Sequence, residues 1–169
     1  MGEPRLDHIS VTCSDLERSI AFYGGLLELP YLGGGESDGP ELSTITGLPG
    51  TRIRWAEFGL GEDLVLELIE YVSPRGGRVR QRTNDAGSGH IGFAVEDIDA
   101  VHRRLAESGA IVRSAPTALT EEGEWHGVRT MYALDPDGVT VELAERVHRV
   151  VHVPDLATEG TGRSDAPAR

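Results

Sequence analysis

Residues 8–16, HISVTCSDL, are echoed at residues 90–98, HIGFAVEDI: a His-Ile pair, a run of β-formers, then an acid and an aliphatic seven and eight residues after the histidine. The far ends of the two stretches match as well, VLELIE at 65–70 against TVELAE at 140–145, so Glu67 and Glu142 each sit in an E-L-x-E frame. A chain that writes one supersecondary unit twice folds as two copies that bury a common core. Each copy also supplies one imidazole and one carboxylate, His8 with Glu67 and His90 with Glu142. Two nitrogens and two oxygens of this kind can hold a single divalent ion between the copies.

The pattern within each copy predicts an α+β fold of two βαβββ modules. In the first, residues 5–12 alternate as a strand, and DLERSIAFYGGLLEL (15–29) places Leu16, Ile20, Tyr23 and Leu27 at helical spacing behind a capping Asp15. GGGESDGPE (33–41) reads as a loop, since it lacks the Lys and Ser/Thr ending of a phosphate-binding loop. Strands are expected at 52–59 and 64–72, with an earlier one near 42–46. The second module repeats the order: a strand at 90–95, a helix at 97–108 stopped by Gly109, and strands near 110–115, 128–134 and 139–145, the last two joined by the turn LDPDG. The modules are expected at 5–72 and 90–146 within one domain, 1–146, with a Gly- and Arg-rich linker at 73–89 and a disordered tail at 147–169.

A chain of 169 residues is long enough to bury a core without staples, and the single Cys13 allows no disulfide within it. No stretch reads as a signal peptide or membrane span, so a cytoplasmic protein with no membrane partner is expected. A net charge of −12 argues against nucleic acid, which requires a basic face.

Alternation along the strands fixes which way the repeated residues point. His8 shares a face with Ser10, opposite Ile9 and Val11; Glu67 shares one with Ile69, opposite Leu66 and Leu68. His90 lies with Gly92 and Ala94, opposite Ile91, Phe93 and Val95, and Glu142 with Thr140, opposite Val141 and Leu143. The opposite face suits packing under a helix, and the His/Glu face, with small or polar neighbours, suits a cavity.

The D-H-I opening, the D-L-E-R-S-I-A-F-Y helix, the L-E-L-I-E strand, G-H-I-G-F-A-V-E-D-I-D-A and the closing L-D-P-D-G-V-T-V-E-L together resemble the vicinal oxygen chelate superfamily over most of residues 5–145. That superfamily includes glyoxalase I, methylmalonyl-CoA epimerase, extradiol dioxygenases and bleomycin or fosfomycin resistance proteins. The resemblance implies a curved mixed sheet around a metal-binding cup, with the ion (Zn, Ni, Co, Mn or Fe) on His8, Glu67, His90 and Glu142. It also implies a homodimer, with the ligands drawn from one chain or from two.

The chemistry this implies is proton abstraction next to a carbonyl, with Glu67 or Glu142 as the catalytic base. Glu142 is favoured because an epimerase relative keeps glutamate there and accepts glutamine in the place of Glu67. The expected activity is a metal-dependent epimerase or isomerase acting through an enediolate on a small hydroxycarbonyl or acyl compound of secondary metabolism. The alternatives are a glyoxalase-like lyase, a ligand-binding antibiotic resistance protein and an extradiol dioxygenase. Three departures bear on this choice. Thr12 and Tyr71 stand where glyoxalase I resemblance asks for the arginine and asparagine that contact glutathione, and TGLPGTR (46–52) lacks the acid expected of methylmalonyl-CoA epimerase. Full ligation by four residues also differs from the two-His, one-carboxylate dioxygenase pattern.

Overall fold

A computed structural model describes residues 2–61 and 63–146, so the expected tail lies outside the described residues. The first module runs β1 (His8–Cys13), α1 (Leu16–Ile20, continuing as a π-helical segment Ala21–Leu26), β2 (Tyr31–Asp38), α2 (Pro40–Thr46), β3 (Arg52–Gly59) and β4 (Val65–Ser73). The second runs β5 (His90–Val95), α3 (Ile98–Glu107), the short β6 (Ile111–Val112) and β7 (Thr117–Ala118), β8 (Arg129–Leu134) and β9 (Thr140–Glu145). Two mixed sheets result, ordered β1-β4-β3-β2 and β5-β9-β8-β6, with β7 also pairing to β8. In each sheet the first and last long strands are parallel, β1 with β4 and β5 with β9.

Helices α1 and α3 start where the repeat places an aspartate. Asp15 and Asp97 accept from the backbone N–H of Arg18 and Ala100, satisfying donors that a helix start leaves free. Gly109, just past α3, has φ +78° and ends that helix as anticipated.

Two expectations need correcting. The Gly-rich stretch is not a loop but β2, an edge strand antiparallel to β3. Its side-chain content is poor, yet its backbone pairs with β3, and glycine allows the approach: a Cβ on Gly34 would lie 2.6 Å from the Trp55 carbonyl oxygen. Residues 42–46 are not a strand but the end of α2, which Pro40 opens at its first turn and Gly47, at φ +70°, closes. The Thr44 and Thr46 hydroxyls bond carbonyls four residues back, so the β-branched residues that suggested a strand are accommodated within the helix.

One core joins the modules. Val11, Leu66 and Leu68 from the first sheet and Val141 and Leu143 from the second all belong to it, with Leu16, Phe22 and Tyr23 and, from α3, Ile98 and Leu105. Gly24 lies so close to the Phe58 ring that a Cβ there would come within 2.8 Å of it. Between modules, the Arg104 side chain donates to the Leu26 carbonyl at 2.7 Å, and the buried Tyr23 hydroxyl donates to Asp135 at 3.1 Å.

Candidate metal centre

The parallel strand pairs bring each histidine beside its glutamate. Ser10 is the register partner of Glu67 and Gly92 that of Glu142, so His8 and His90 each stand two residues earlier on the neighbouring strand, on the same face. His8 Nε2 lies 3.9 Å from Glu67 Oε2, and His90 Nε2 lies 3.0 Å from Glu142 Oε2. Two donors that ligate one ion at about 2.1 Å and a right angle stand roughly 3 Å apart. The second pair therefore already has ligand spacing, and the first needs a small side-chain rotation. The imidazoles are half exposed, which leaves each pair approachable from outside.

The two pairs are supported differently. The Asp7 carboxylate accepts from His8 Nδ1 at 2.8 Å and raises the imidazole above its ordinary pKa; holding the proton on Nδ1 leaves Nε2 as the donor atom toward a metal. His90 instead packs against Tyr132, ring centroids 5.5 Å apart, and burial raises the Tyr132 phenol. Glu142 is fixed by the Thr130 hydroxyl, which donates to Oε1 at 2.9 Å. Among the described residues Glu67 accepts no hydrogen bond.

The second acid of each E-L-x-E frame turns the other way. Glu70 accepts from the Leu16 N–H at the start of α1 and from Arg54, which also pairs with Glu17. Glu145 does the same with the Ile98 N–H and Arg129, and Arg129 also pairs with Asp99. Alternation thus divides the motif: the first glutamate faces outward beside its histidine, and the second ties strand to helix. The arginines lie on the helix side, and Tyr132, the partner of Glu142 in register, lies on the His/Glu side.

The pairs do not converge within one chain. Among the described residues no group of three or more His, Cys, Asp or Glu side chains is arranged to hold a metal. All four candidates alternate with residues of the shared core, so the two pairs face away from it on the outer faces of two sheets. The linker covers a cavity of about 410 Å³ lined by Thr12, Tyr71 and Thr140 on the strand side and by Arg75, Arg78 and Arg82. Those cations are each met by a carboxylate: Glu70, Asp137 and Asp85 respectively. In the 121–127 loop, the Trp125 ring lies 3.7 Å beneath the Arg146 guanidinium. His102 is half-buried on α3, and His148 and His152 lie outside the described residues.

Paired βαβββ modules with an imidazole and a carboxylate on each outer face define a class of protein. The model of the Glyoxalase/Bleomycin resistance protein/Dioxygenase superfamily matches residues 5–143, and the chain belongs to that superfamily. Among solved structures it is similar to a glyoxalase family protein from Bacillus cereus, with TM-score 0.73 and 23% identity over 86% of this chain and 95% of that one. It is also similar to a glyoxalase I mutant from Zea mays, with TM-score 0.62 and 20% identity over 85% of this chain and 46% of that one. A third is the fosfomycin resistance protein FosX from Listeria monocytogenes, described as a complex with Mn(II) and sulfate, with TM-score 0.57 and 19% identity over 86% of this chain and 94% of that one. No curated protein matches the chain in sequence. Among the described residues no helix is long and apolar enough to cross a membrane.

Proposed function

We propose that the protein is a divalent-metal-dependent epimerase or isomerase whose site is completed by a second copy of the chain, His8 and Glu67 of one copy meeting His90 and Glu142 of the other. The observation that carries this is the repeated pair: the same imidazole and carboxylate, brought together by the same register on faces that turn away from the shared core, with no group of three or more such side chains gathered among the described residues. Four nitrogen and oxygen donors suit a divalent ion with positions left for two substrate oxygens. Bound there, the ion would offset the negative charge that develops on a carbonyl oxygen as the neighbouring C–H loses its proton.

The chain's own part is to hold the substrate and move that proton. Glu142, fixed by Thr130 and beside His90, is the anchored carboxylate. Glu67, which nothing comparable holds, is free to swing between the metal and a substrate carbon, so the geometry favours Glu67 over Glu142 as the base.

The test is transfer of solvent deuterium into a panel of small α-hydroxyketones, followed by NMR with metal content fixed. Exchange that survives in Glu142→Gln but falls about a hundredfold in Glu67→Gln supports this assignment. The reverse moves the base to Glu142. Absence of exchange combined with oxygen consumption turns the reading to a dioxygenase, and tight ligand binding without either turns it to a resistance-type binding protein.

A further inference from the structure

One charged group on the same face has no role in that scheme. Glu57, on β3, is the register partner of Glu67, and β2 places Gly33 directly opposite Glu57 on its other side. A row Ser10, Glu67, Glu57, Gly33 therefore crosses the first sheet on its outer face. In the second sheet the corresponding row is Gly92, Glu142, Tyr132, so Glu57 stands where the other module has a phenol.

Glu57 is half-buried and, among the described residues, has no hydrogen bond or ion pair, while its charge reaches His8. A half-buried carboxylate beside another carboxylate is unfavourable unless something of opposite character faces it. Beyond the His8 imidazole, the first sheet brings no such group into contact with it. Its four strands carry no lysine and two arginines, Arg52 and Arg54, and Arg54 is committed to the helix side by Glu17 and Glu70. Beside Glu57 there is room: a Cβ on Gly33 would meet nothing within 4 Å. One step along, the Trp55 indole packs on Gly35, 3.2 Å from where a Cβ would sit, and forms a flat apolar wall.

We infer that Glu57 sets substrate charge: the part of the substrate that does not chelate the metal lies along Trp55 over Gly33 and presents a cation or a hydrogen-bond donor to Glu57, never a carboxylate or phosphate. This rests on the proposed metal site and narrows its substrate to compact hydroxycarbonyl compounds bearing an amine or hydroxyl near the chelating oxygens.

Binding alone tests it. Benzohydroxamates are bidentate metal chelators, and three carrying a para aminomethyl, hydrogen or carboxylate group would be titrated by calorimetry into metal-loaded dimer, wild type and Glu57→Gln. The wild type should prefer the ammonium compound to the carboxylate by about tenfold or more, and Glu57→Gln should shrink that ratio to about twofold with metal content unchanged. Preference for the carboxylate, or a ratio indifferent to Glu57→Gln, overturns the inference and leaves the metal site standing. Failure of all three hydroxamates to bind a protein that also retains no metal overturns the proposed function, and this inference with it.

Discussion

The two modules carry one frame and use it unequally. In both, an aspartate caps the helix, an outward glutamate lies near a histidine, and a second glutamate and an arginine lock strand to helix. The second module has the tighter pair, at 3.0 Å, with a hydroxyl fixing its carboxylate; the first has the looser pair, at 3.9 Å, with an unmatched acid beside it. The supports differ too. The first sheet is extended by the long strand β2 and by α2, whereas the second ends in the two-residue strands β6 and β7. What repeats is what folding needs; what diverges lies on the outer face, where the candidate ligands are.

The sharpest way to break this comparison is complementation. His8→Ala and His90→Ala should each lose bound metal about tenfold or more and keep their fold, since both side chains point away from the core. Mixed, the two inactive chains should recover metal at about one site per heterodimer, because one of its two composite sites is intact; failure to recover would place all four ligands in one chain.

Next comes the helix clamp. Glu70→Ala should cost about 2 kcal/mol in denaturant unfolding and Glu145→Ala about half of that, because Glu70 is the more buried of the two and leaves a buried helix start unmatched. Equal losses would show that burial does not separate them.

A third difference is confined to one module. Cys13 corresponds to Val95 in the repeat, and burial pushes its thiol from 9.0 up to about 11. Because the folded value lies above the unfolded one, the contribution is fully present below about pH 9 and is lost as pH rises toward 11, about 2 kcal/mol in all. Unfolding followed between pH 8 and 11 should show this loss, and Cys13→Ala should flatten it.

The smallest effect concerns the carboxylate that is held. Thr130→Val should weaken metal binding by several-fold up to about tenfold in chelator competition, with stability little changed, since it removes the donor that fixes Glu142. The equivalent place in the first module is Trp55, so no hydroxyl there does the same.

The elements that a single strand or helix specifies were legible in the chain: the caps, the helix ending at Gly109, the hairpin at LDPDG, and the alternation that turns Glu67 and Glu142 outward while Leu66, Leu68, Val141 and Leu143 face the core. These are local, because side-chain period and dihedral preference act within a few residues. Two elements were misread, only the first because it depends on a partner. GGGESD is a strand because β3 supplies its hydrogen bonds, and STIT is helical because Pro40 and Gly47 bound it, against the preference of its β-branched residues.

The site divides along the same line. The sequence by itself determined the four candidate ligands and the face they share, since a repeat and a two-residue period suffice for that. Only the tertiary structure decided that the two pairs do not gather into one cluster among the described residues, that Glu142 is held and Glu67 is not, and that Glu57 stands beside Glu67. Those facts follow from register between strands distant in the chain and from how two sheets bury their apolar faces together, which no local pattern encodes.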